Sequence, residues 1–345
     1  MFAFSQRTGL LDISTLDKYD KQGLYKIYDK WPQIARESYE LDLESVDFKN
    51  IDHIIFSGMG GSGVLGDVFS AILSKNDIHV NVVKGYLLPK TVDSKTLVIT
   101  TSISGNTAET LTVLDSARKT DCKLIAFSSG GKMEEYCTKN KVEFRKIPIY
   151  HSPRASFPAF LYSILKTLNS VIPVKKEDVL ESFDEMERSQ KKISSSNLNE
   201  KNPALNLAKW LNGLPMIYYP WGLQAAAIRF KSSLQENSKS HAMAEDVIEA
   251  CHNGVVSWEN NSNVKPILLQ GEDDYIKTKE RWIILKEFFE NNKIQYWEVK
   301  SLKGNILTKL VNLIFLLDYA SIYYAIFSKI DPASIKAIDY IKSRL

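Results

Sequence analysis

The feature that most constrains this chain is a repeated alternation of short apolar runs and helical patterns. HIIFS, at residues 53–57, is a short apolar run of the kind that a buried strand forms, and four further runs repeat the signal: HVNVVKGY, TLVITTS, KLIAFSS and VEFRKIPI. Helical spacing occurs between them, in VLGDVFSAILSK and AETLTVLDSARKT. This alternation predicts an α/β fold with a mainly parallel sheet and helices on both faces.

The alternation resumes in the C-terminal half, after longer helical patterns such as DVLESFDEMERSQKKISSS. From PMIYYP onward, the runs PILLQG and IQYWEVK alternate with helical stretches that include QAAAIRFKSSLQENS and ILTKLVNLIFLLDYASIYYAIF. A chain of 345 residues is long enough for two domains. We therefore predict an N-terminal domain with a helical extension over residues 1–155, a helical linker region over 156–200 and a C-terminal domain over 201–345.

A glycine-rich loop follows the first predicted strand and opens a helix. FSGMGGSG has the G-x-G-x-x-G spacing of a dinucleotide-binding loop at Gly58, Gly60 and Gly63. The acidic residue that would bind a ribose near the end of the second strand is missing, since Lys84 stands there, which argues against a nicotinamide dehydrogenase. Glycines in such a turn can serve packing alone. Gly60, Gly61 and Ser62 nevertheless expose backbone N–H groups at a helix N-terminus, which favours an anion such as phosphate.

The third predicted strand ends in a second polar loop, SISGNT. Ser102, Ser104 and Thr107 present three hydroxyls, and Gly105 permits close approach of the backbone. Asn106 or Thr107 can cap the helix that follows. Each hydroxyl, considered by itself, could be no more than a cap or a turn contact. Three of them, beside the first loop, indicate donors to a phosphate. The loop contains no lysine, so the phosphate is expected to be held and not transferred, because phosphoryl transfer requires Mg²⁺ and a cationic clamp.

Charge and cysteine content argue against several other functions. The 44 Lys and Arg residues nearly balance 41 Asp and Glu residues and are interspersed with them, so we expect neither a nucleic acid nor a membrane as partner. The N-terminus lacks the pattern of a signal peptide, which predicts a cytoplasmic protein. Cys122, Cys137 and Cys251 are odd in number and lack C-x-x-C spacing, so we interpret them as reduced thiols. We expect a small-molecule ligand and no metal or cofactor.

The order of motifs along the chain resembles one family. The pattern S-x-S-G-x-T is typical of sugar-isomerase (SIS) domains, where it binds the phosphate of a sugar phosphate. Together, GMGGSG, SISGNT, SPRAS, QENSK, EACHN and a lysine close to the C-terminus resemble the bifunctional phosphoglucose/phosphomannose isomerases of archaea and some bacteria. The resemblance covers nearly the whole chain and implies two tandem SIS domains, each a three-layer αβα unit, and a homodimer. It also implies interconversion of glucose 6-phosphate, and of mannose 6-phosphate, with fructose 6-phosphate through a cis-enediolate.

The resemblance assigns roles to four residues. Glu236 corresponds to the base that moves the proton between C1 and C2, a task that requires an ionised carboxylate. His252 corresponds to the histidine that opens the sugar ring, supplied in dimeric members from the neighbouring subunit. Arg154 corresponds to the cation near the enediolate oxygens, and Lys342 assists His252 at the ring oxygen, with Lys336 as a competing candidate.

From the residues alone, several alternatives stay open. Glu236 and Lys342 could be solvated charges at helix ends, Arg154 could form a salt bridge, and Cys251 could be a nucleophile. A non-catalytic SIS regulator is the second functional hypothesis; such a protein would keep the serines and lose the catalytic groups. The sequence departs from the family pattern at Ile103, where an aromatic residue is common, and at Ile335, where dual-specificity members can carry a threonine.

Overall fold

A computed structural model describes residues 11–344 of the chain. Within them, nine strands are present: β1 (His53–Ser57), β2 (His79–Val83), β3 (Thr96–Ser102), β4 (Lys123–Ser128), β5 (Glu143–Lys146), β6 (Leu214–Tyr219), β7 (Met243–Asp246), β8 (Val264–Gln270) and β9 (Trp297–Lys300). The same residues form fourteen α-helices: α1 (Ile13–Tyr19), α2 (Leu24–Tyr28), α3 (Trp31–Glu40), α4 (Gly61–Leu73), α5 (Ala108–Arg118), α6 (Gly131–Asn140), α7 (Phe157–Thr167), α8 (Lys176–Ile193), α9 (Pro203–Trp210), α10 (Gln224–Ser238), α11 (Val247–Ala250), α12 (Ile276–Asn291), α13 (Ile306–Phe327) and α14 (Lys336–Lys342).

The described residues group into two compact units. One unit is contiguous and spans residues 30–183, and the other combines residues 11–29 with residues 184–344. The N-terminal residues join the second unit because α2 packs on α13, where the hydroxyl of Tyr28 donates to the carboxylate of Asp318 at 3.0 Å. Helix α7 belongs to the first unit because it packs on α3. The segment 156–200, predicted as a helical linker, is thus divided between the two units within α8.

The contiguous unit is built on a five-stranded sheet. All its strand pairs are parallel, in the order β2-β1-β3-β4-β5, which confirms the predicted parallel sheet. Consecutive residues of β1 point to opposite faces. Ile55 packs with Val113 of α5, whereas the ring of Phe56 stacks on Phe69 of α4 with centroids 5.0 Å apart. Helices therefore cover both faces of the sheet, and for this reason β1 and β3 are buried along their whole length.

The other unit repeats this arrangement with four strands. Its sheet is also entirely parallel, in the order β7-β6-β8-β9. Tyr218 and Leu268 pack against Trp282 and Leu285 of α12, while α10 contacts β6 and packs on α13. Helix α13 is long and apolar enough to cross a membrane, but 89% of its most apolar window is buried inside the structure, as in a core helix.

Candidate phosphate-binding edge and catalytic residues

The carboxyl edge of the first sheet carries both predicted phosphate loops. Strand β1 lies between β2 and β3, and the helices that follow β1 and β3 lie on opposite faces of the sheet. In doubly wound sheets such a switch point leaves a crevice between the two loops, and ligands bind there. Helices α4 and α5 both begin at this edge, and neither start has a hydrogen bond from a side-chain cap. Their first N–H groups and dipoles can therefore act on an anion.

Gly60 gives the first loop its shape at the start of α4. Its backbone has a φ of +52°, in the left-handed region that favours glycine. A Cβ added at Gly60 would meet no heavy atom of the described residues within 4 Å, so the loop faces open space at this point. A ligand group can thus approach the backbone at the start of α4 without a side chain in the way.

Ser62 connects the first loop to the second. Its hydroxyl oxygen accepts a hydrogen bond from the backbone N–H of Ile103 at 3.2 Å. The serine hydroxyl can still donate its proton to a ligand oxygen. Ile103, for which the sequence suggested no role, is buried, and its carbonyl accepts hydrogen bonds from the backbone N–H of Ser129 at 3.1 Å and from its hydroxyl at 2.7 Å. Ile103 therefore joins the loops that follow three neighbouring strands.

The hydroxyls of the SISGNT loop differ in accessibility. Ser102 is fully buried and donates to the hydroxyl of Thr107 at 2.9 Å. Thr107 occupies the N-cap position of α5 but forms no capping bond, because its side chain faces Ser102. Ser104 and Thr107 are half-buried. Ser104 and Thr107 are thus the hydroxyls best placed to reach a ligand, while Ser102 orders the loop.

Gly105 has a different role from the one expected for a ligand-facing glycine. Its φ is +72°, and a Cβ added there would lie 1.7 Å from the carbonyl oxygen of Gly130. The Gly105 carbonyl also accepts a hydrogen bond from the N–H of Met133 at 2.9 Å. The close approach that this glycine permits is therefore to the β4–α6 turn, which packs against the SISGNT loop.

Arg154 lies beside the first glycine loop. A Cβ added at Gly61 would be 3.6 Å from the Cα of Arg154, and Arg154 is 6% exposed. The segment is held by Trp31, whose indole N–H donates to the carbonyl of Ala155 at 2.9 Å. The sequence predicted Arg154 as a catalytic cation without locating it, and the structure brings its backbone next to Gly61, which is distant from it along the chain.

A lysine that sequence reasoning did not select also lies near this edge. The side chain of Lys84 would be 3.2 Å from a Cβ at Gly63, and its ammonium pairs with Asp67 at 2.5 Å. Burial raises the pKa of Asp67, while the charge of Lys84 opposes that shift. Because Lys84 already faces a carboxylate, the loops still present mainly neutral donors.

The other predicted site residues lie on three elements of the second unit. Glu236 is half-buried in the last turn of α10, as the sequence predicted for a helix end. Lys239 closes this helix in the left-handed conformation, and its ammonium donates to the carbonyl of Glu236 at 2.8 Å. His252 is exposed in the turn after α11, where its backbone N–H donates to the carbonyl of Glu249 at 2.9 Å.

Lys342 and its competitor Lys336 occupy the two ends of α14. Both lysines are exposed, and α14 contains no buried residue. Burial therefore does not distinguish Lys342 from Lys336.

Metal and thiol chemistry find little support in the described part of the chain. No group of three or more His, Cys, Asp or Glu side chains among residues 11–344 is arranged to hold a metal ion. Burial raises the pKa of the Cys251 thiol and raises that of Cys137 to about 11. A raised pKa disfavours the thiolate, so the nucleophile interpretation of Cys251 is weakened.

Two family models match the sequence. The model described as SIS domain matches residues 47–165, and the model described as bacterial phospho-glucose isomerase C-terminal SIS domain matches residues 200–345.

Curated relatives and solved structures are similar over nearly the whole length. A bifunctional phosphoglucose/phosphomannose isomerase of Caldicellulosiruptor bescii is 32% identical, over 91% of this chain and 96% of the relative. A protein of the same name from Aquifex aeolicus is 29% identical, over 94% of this chain and 96% of the relative. The crystal structure of a glucose-6-phosphate isomerase like protein from Thermus thermophilus matches with a TM-score of 0.64 and 15% identity, over 98% of this chain and 100% of that one. Because the sequence identity is 15%, this structural match shows a similar fold and nothing more.

Proposed function

The chain belongs to the family of bifunctional phosphoglucose/phosphomannose isomerases, and from this premise we propose that it interconverts glucose 6-phosphate and mannose 6-phosphate with fructose 6-phosphate. The reaction is an intramolecular oxidation and reduction, in which the aldehyde carbon of one sugar becomes the alcohol carbon of the other. Membership confirms the resemblance drawn from the motifs, and the two SIS matches with two parallel sheets confirm the tandem SIS fold.

The observation that carries the proposal is the carboxyl edge of the first sheet. Two uncapped helix starts, the open space before Gly60 and the hydroxyls of Ser104 and Thr107 together suit a dianionic phosphate. We propose that Gly60, Gly61, Ser62, Ser104 and Thr107 bind the phosphate, and that Ser102, predicted as a further donor, orders the loop through its hydrogen bond to Thr107. Hydrogen bonds from neutral donors to a charged acceptor contribute about 1.5 to 3 kcal/mol each. Several such bonds are enough to hold a substrate by its phosphate, and the phosphate ester stays intact.

The proposed chemistry moves one proton between two carbons. The carboxylate of Glu236 removes the proton from C2 of the open-chain aldose, the electrons of that C–H bond form the C1–C2 double bond, and the π electrons of the C1 carbonyl move to O1 to give a cis-enediolate. The hydroxyl proton of O2 is then transferred to O1, the proton on Glu236 returns to C1, and C2 becomes the ketone carbon. Arg154 stabilises the negative charge that develops on the enediolate oxygens. His252, assisted by Lys342, transfers the proton that opens the sugar ring. These four roles come from the family resemblance.

The same premise extends to assembly and location. We propose that the enzyme is a cytoplasmic homodimer in which His252 serves the site of the neighbouring subunit, and that catalysis needs no cofactor. A non-catalytic SIS regulator would lack the catalytic groups, whereas Glu236, Arg154, His252 and Lys342 are all present. The enzyme hypothesis is therefore favoured over the regulator.

The purified protein supplied with fructose 6-phosphate tests the proposal. Glucose 6-phosphate and mannose 6-phosphate should both accumulate when followed separately by ¹H NMR, and a chelator should leave both rates unchanged. Fructose without its phosphate is the matched control and should react far more slowly, because it lacks the anion that the loops hold. An identically treated preparation from cells without the gene excludes a contaminating host isomerase. Absence of both products would overturn the proposed function, and loss of activity with the chelator would overturn the metal-free mechanism.

A further inference from the structure

A fully buried carboxylate, Asp318 of α13, lies at the interface between α13 and α10. Its Oδ2 accepts hydrogen bonds from Nη2 of Arg229 at 2.6 Å and from Nε at 3.0 Å. Its Oδ1 accepts from the hydroxyl of Ser233 at 2.6 Å, and Tyr28 of α2 donates to Oδ2 at 3.0 Å. Asp318 is 0% exposed and Arg229 is 2% exposed. Three elements of the unit thus converge on one carboxylate.

The donors on α10 follow a regular spacing that ends beside Glu236. Arg229, Ser233 and Asn237 are four residues apart, so they lie along one face of the helix. Asn237 continues the contact, because its amide donates to the hydroxyl of Ser321 on α13 at 2.8 Å. Glu236 directly precedes Asn237 and lies two helical turns after Arg229. The last turn of α10, which carries Glu236, is therefore fixed to α13 by polar contacts as well as by apolar packing.

A buried ion pair at this place needs an explanation other than stability. Apolar side chains of similar volume often stabilise an interface as well as a buried ion pair does or better, because taking two charges out of water costs several kcal/mol per ion. Burial lowers the pKa of Arg229, but the charge and hydrogen bonds of Asp318 raise it, and the net shift is upward. The guanidinium therefore stays charged beside Asp318, and it lies two helical turns before Glu236 on the same helix.

We infer that Asp318 is a positioning residue for catalysis, which fixes the last turn of α10 and neutralises Arg229 so that Glu236 keeps its orientation and its strength as a base. The inference rests on the proposed function, since it assigns a partner to the base of that reaction. Asp318 acts through Arg229 and α10 and has no proposed contact with the substrate. Without Asp318 the positive charge of Arg229 would have no counter-ion. It would then favour the ionised carboxylate of Glu236, which makes that carboxylate a weaker proton acceptor.

The charged and titratable groups around this network come from four segments. Helix α13 supplies Asp318 and Tyr319, α2 and the residue after it supply Tyr28 and Asp29, and α10 supplies Arg229 and Glu236. Lys239, beyond the end of α10, donates to the carbonyls of Glu236 and Asp331 at 2.8 Å each. These two acceptors are backbone carbonyls, which substitutions at Asp318 or Arg229 do not remove, so the ion pair can be tested separately.

The test is the pH dependence of kcat in the isosteric variant Asp318→Asn. Loss of the counter-ion leaves the Arg229 charge to act on Glu236, so the acidic limb of the kcat profile should move to lower pH by about half a unit to one unit. A weaker base, together with a less firmly held last turn of α10, should also lower kcat at neutral pH about 3- to 10-fold, with KM within about twofold of the parent value. The double variant Arg229→Gln/Asp318→Asn removes both charges and should return the limb to the parent position.

Tyr28→Phe is the matched control, because it removes one hydrogen bond to Asp318 and leaves both charges. It should lower the thermal midpoint and leave the acidic limb unchanged.

If Asp318→Asn lowers stability while kcat and the limb stay at parent values, the inference is overturned and Asp318 only stabilises the fold. If that variant does not fold, Ser233→Ala replaces it and should lower kcat about two- to threefold at constant KM; an unchanged kcat would contradict the inference. A parent enzyme without isomerase activity would overturn the proposed function and this inference together.

Discussion

The carboxyl edges of the two sheets have the same topology and different chemistry. In each unit the first strand lies between the second and the third, as the orders β2-β1-β3-β4 and β7-β6-β8-β9 show. The first edge carries the glycine loop at 58–61 and the SISGNT loop at 102–107. The corresponding segments of the second edge read Pro220-Trp221-Gly222 after β6 and Gly271-Glu272-Asp273-Asp274 after β8.

At the second edge, side chains of the protein itself take up the hydrogen-bond donors of the loop after β8. The N–H of Gly271 donates to the carboxylate of Asp274 at 3.0 Å, and the indole of Trp282 donates to the same oxygen at 2.9 Å. Burial raises the pKa of Asp274, and Asp273 is paired with Lys309 at 2.9 Å. Three consecutive acidic residues would repel a phosphate. Both units have the strand order of a switch point, and the sequence of the loops decides whether this edge suits an anion.

Glu236→Gln should produce the largest effect, and it separates the proposed base from the proposed phosphate site at the first edge. The amide cannot accept the proton from the sugar, so kcat should fall by about 10² to 10⁴. Affinity for fructose 6-phosphate, measured by calorimetry, should stay near the parent value, because the phosphate loops are unchanged. Undiminished turnover would remove Glu236 from the mechanism. Gln235→Ala, an exposed neighbour, is the control and should leave kcat unchanged.

A pair of glycine substitutions tests whether the two edges differ in their backbone requirements. Gly105→Ala should destabilise the protein by at least about 3 kcal/mol, because its Cβ collides with the Gly130 carbonyl and φ is +72°. Gly222→Ala on the second edge meets no atom of the described residues within 4 Å and should change stability by less than about 0.5 kcal/mol. Denaturant unfolding measures both values. Equal stabilities of the two variants would contradict the supporting role of Gly105.

Ser104→Ala should have a smaller effect, confined to binding. Loss of one hydroxyl donor to a charged phosphate costs about 1.5 to 3 kcal/mol, so Kd for the sugar phosphate should rise roughly 10- to 100-fold. Turnover at saturation should change little. Thr112→Ala removes an exposed hydroxyl from the same loop–helix segment, where it donates only to the carbonyl of Ala108, and should leave Kd unchanged. An equal loss in both variants would argue against phosphate binding by Ser104.

Most of the fold followed from hydrophobic patterning because its central strands are fully buried. HIIFS and TLVITTS are apolar runs flanked by helical patterns, and both are strands of the first sheet. The prediction missed β7, whose sequence MAED carries two acidic residues. It is a short strand at the edge of its sheet, partly exposed along its length, so neither length nor hydrophobicity marks it.

The candidate site could be predicted only where its residues are consecutive. The SISGNT and GMGGSG loops are local motifs, and their place at one sheet edge follows from parallel pairing of β1 with β3. The approach of Arg154 to Gly61, the pairing of Lys84 with Asp67 and the buried pair of Arg229 with Asp318 join residues far apart in the chain. Spacing along a sequence contains no signal for such contacts.

The hydrogen bond between Tyr28 and Asp318 also bears on how the chain is made. The two residues are 290 positions apart, and at synthesis rates of about 5 to 20 residues per second the first waits roughly 15 to 60 seconds for the second. The unit of residues 30–183 is continuous and can fold during that interval, whereas the other unit needs segments from both sides of it. The helix that carries Tyr28 leaves the ribosome early and waits for its partner, so a nascent chain can order the two loops of the first edge before the helix that carries Glu236 is fixed.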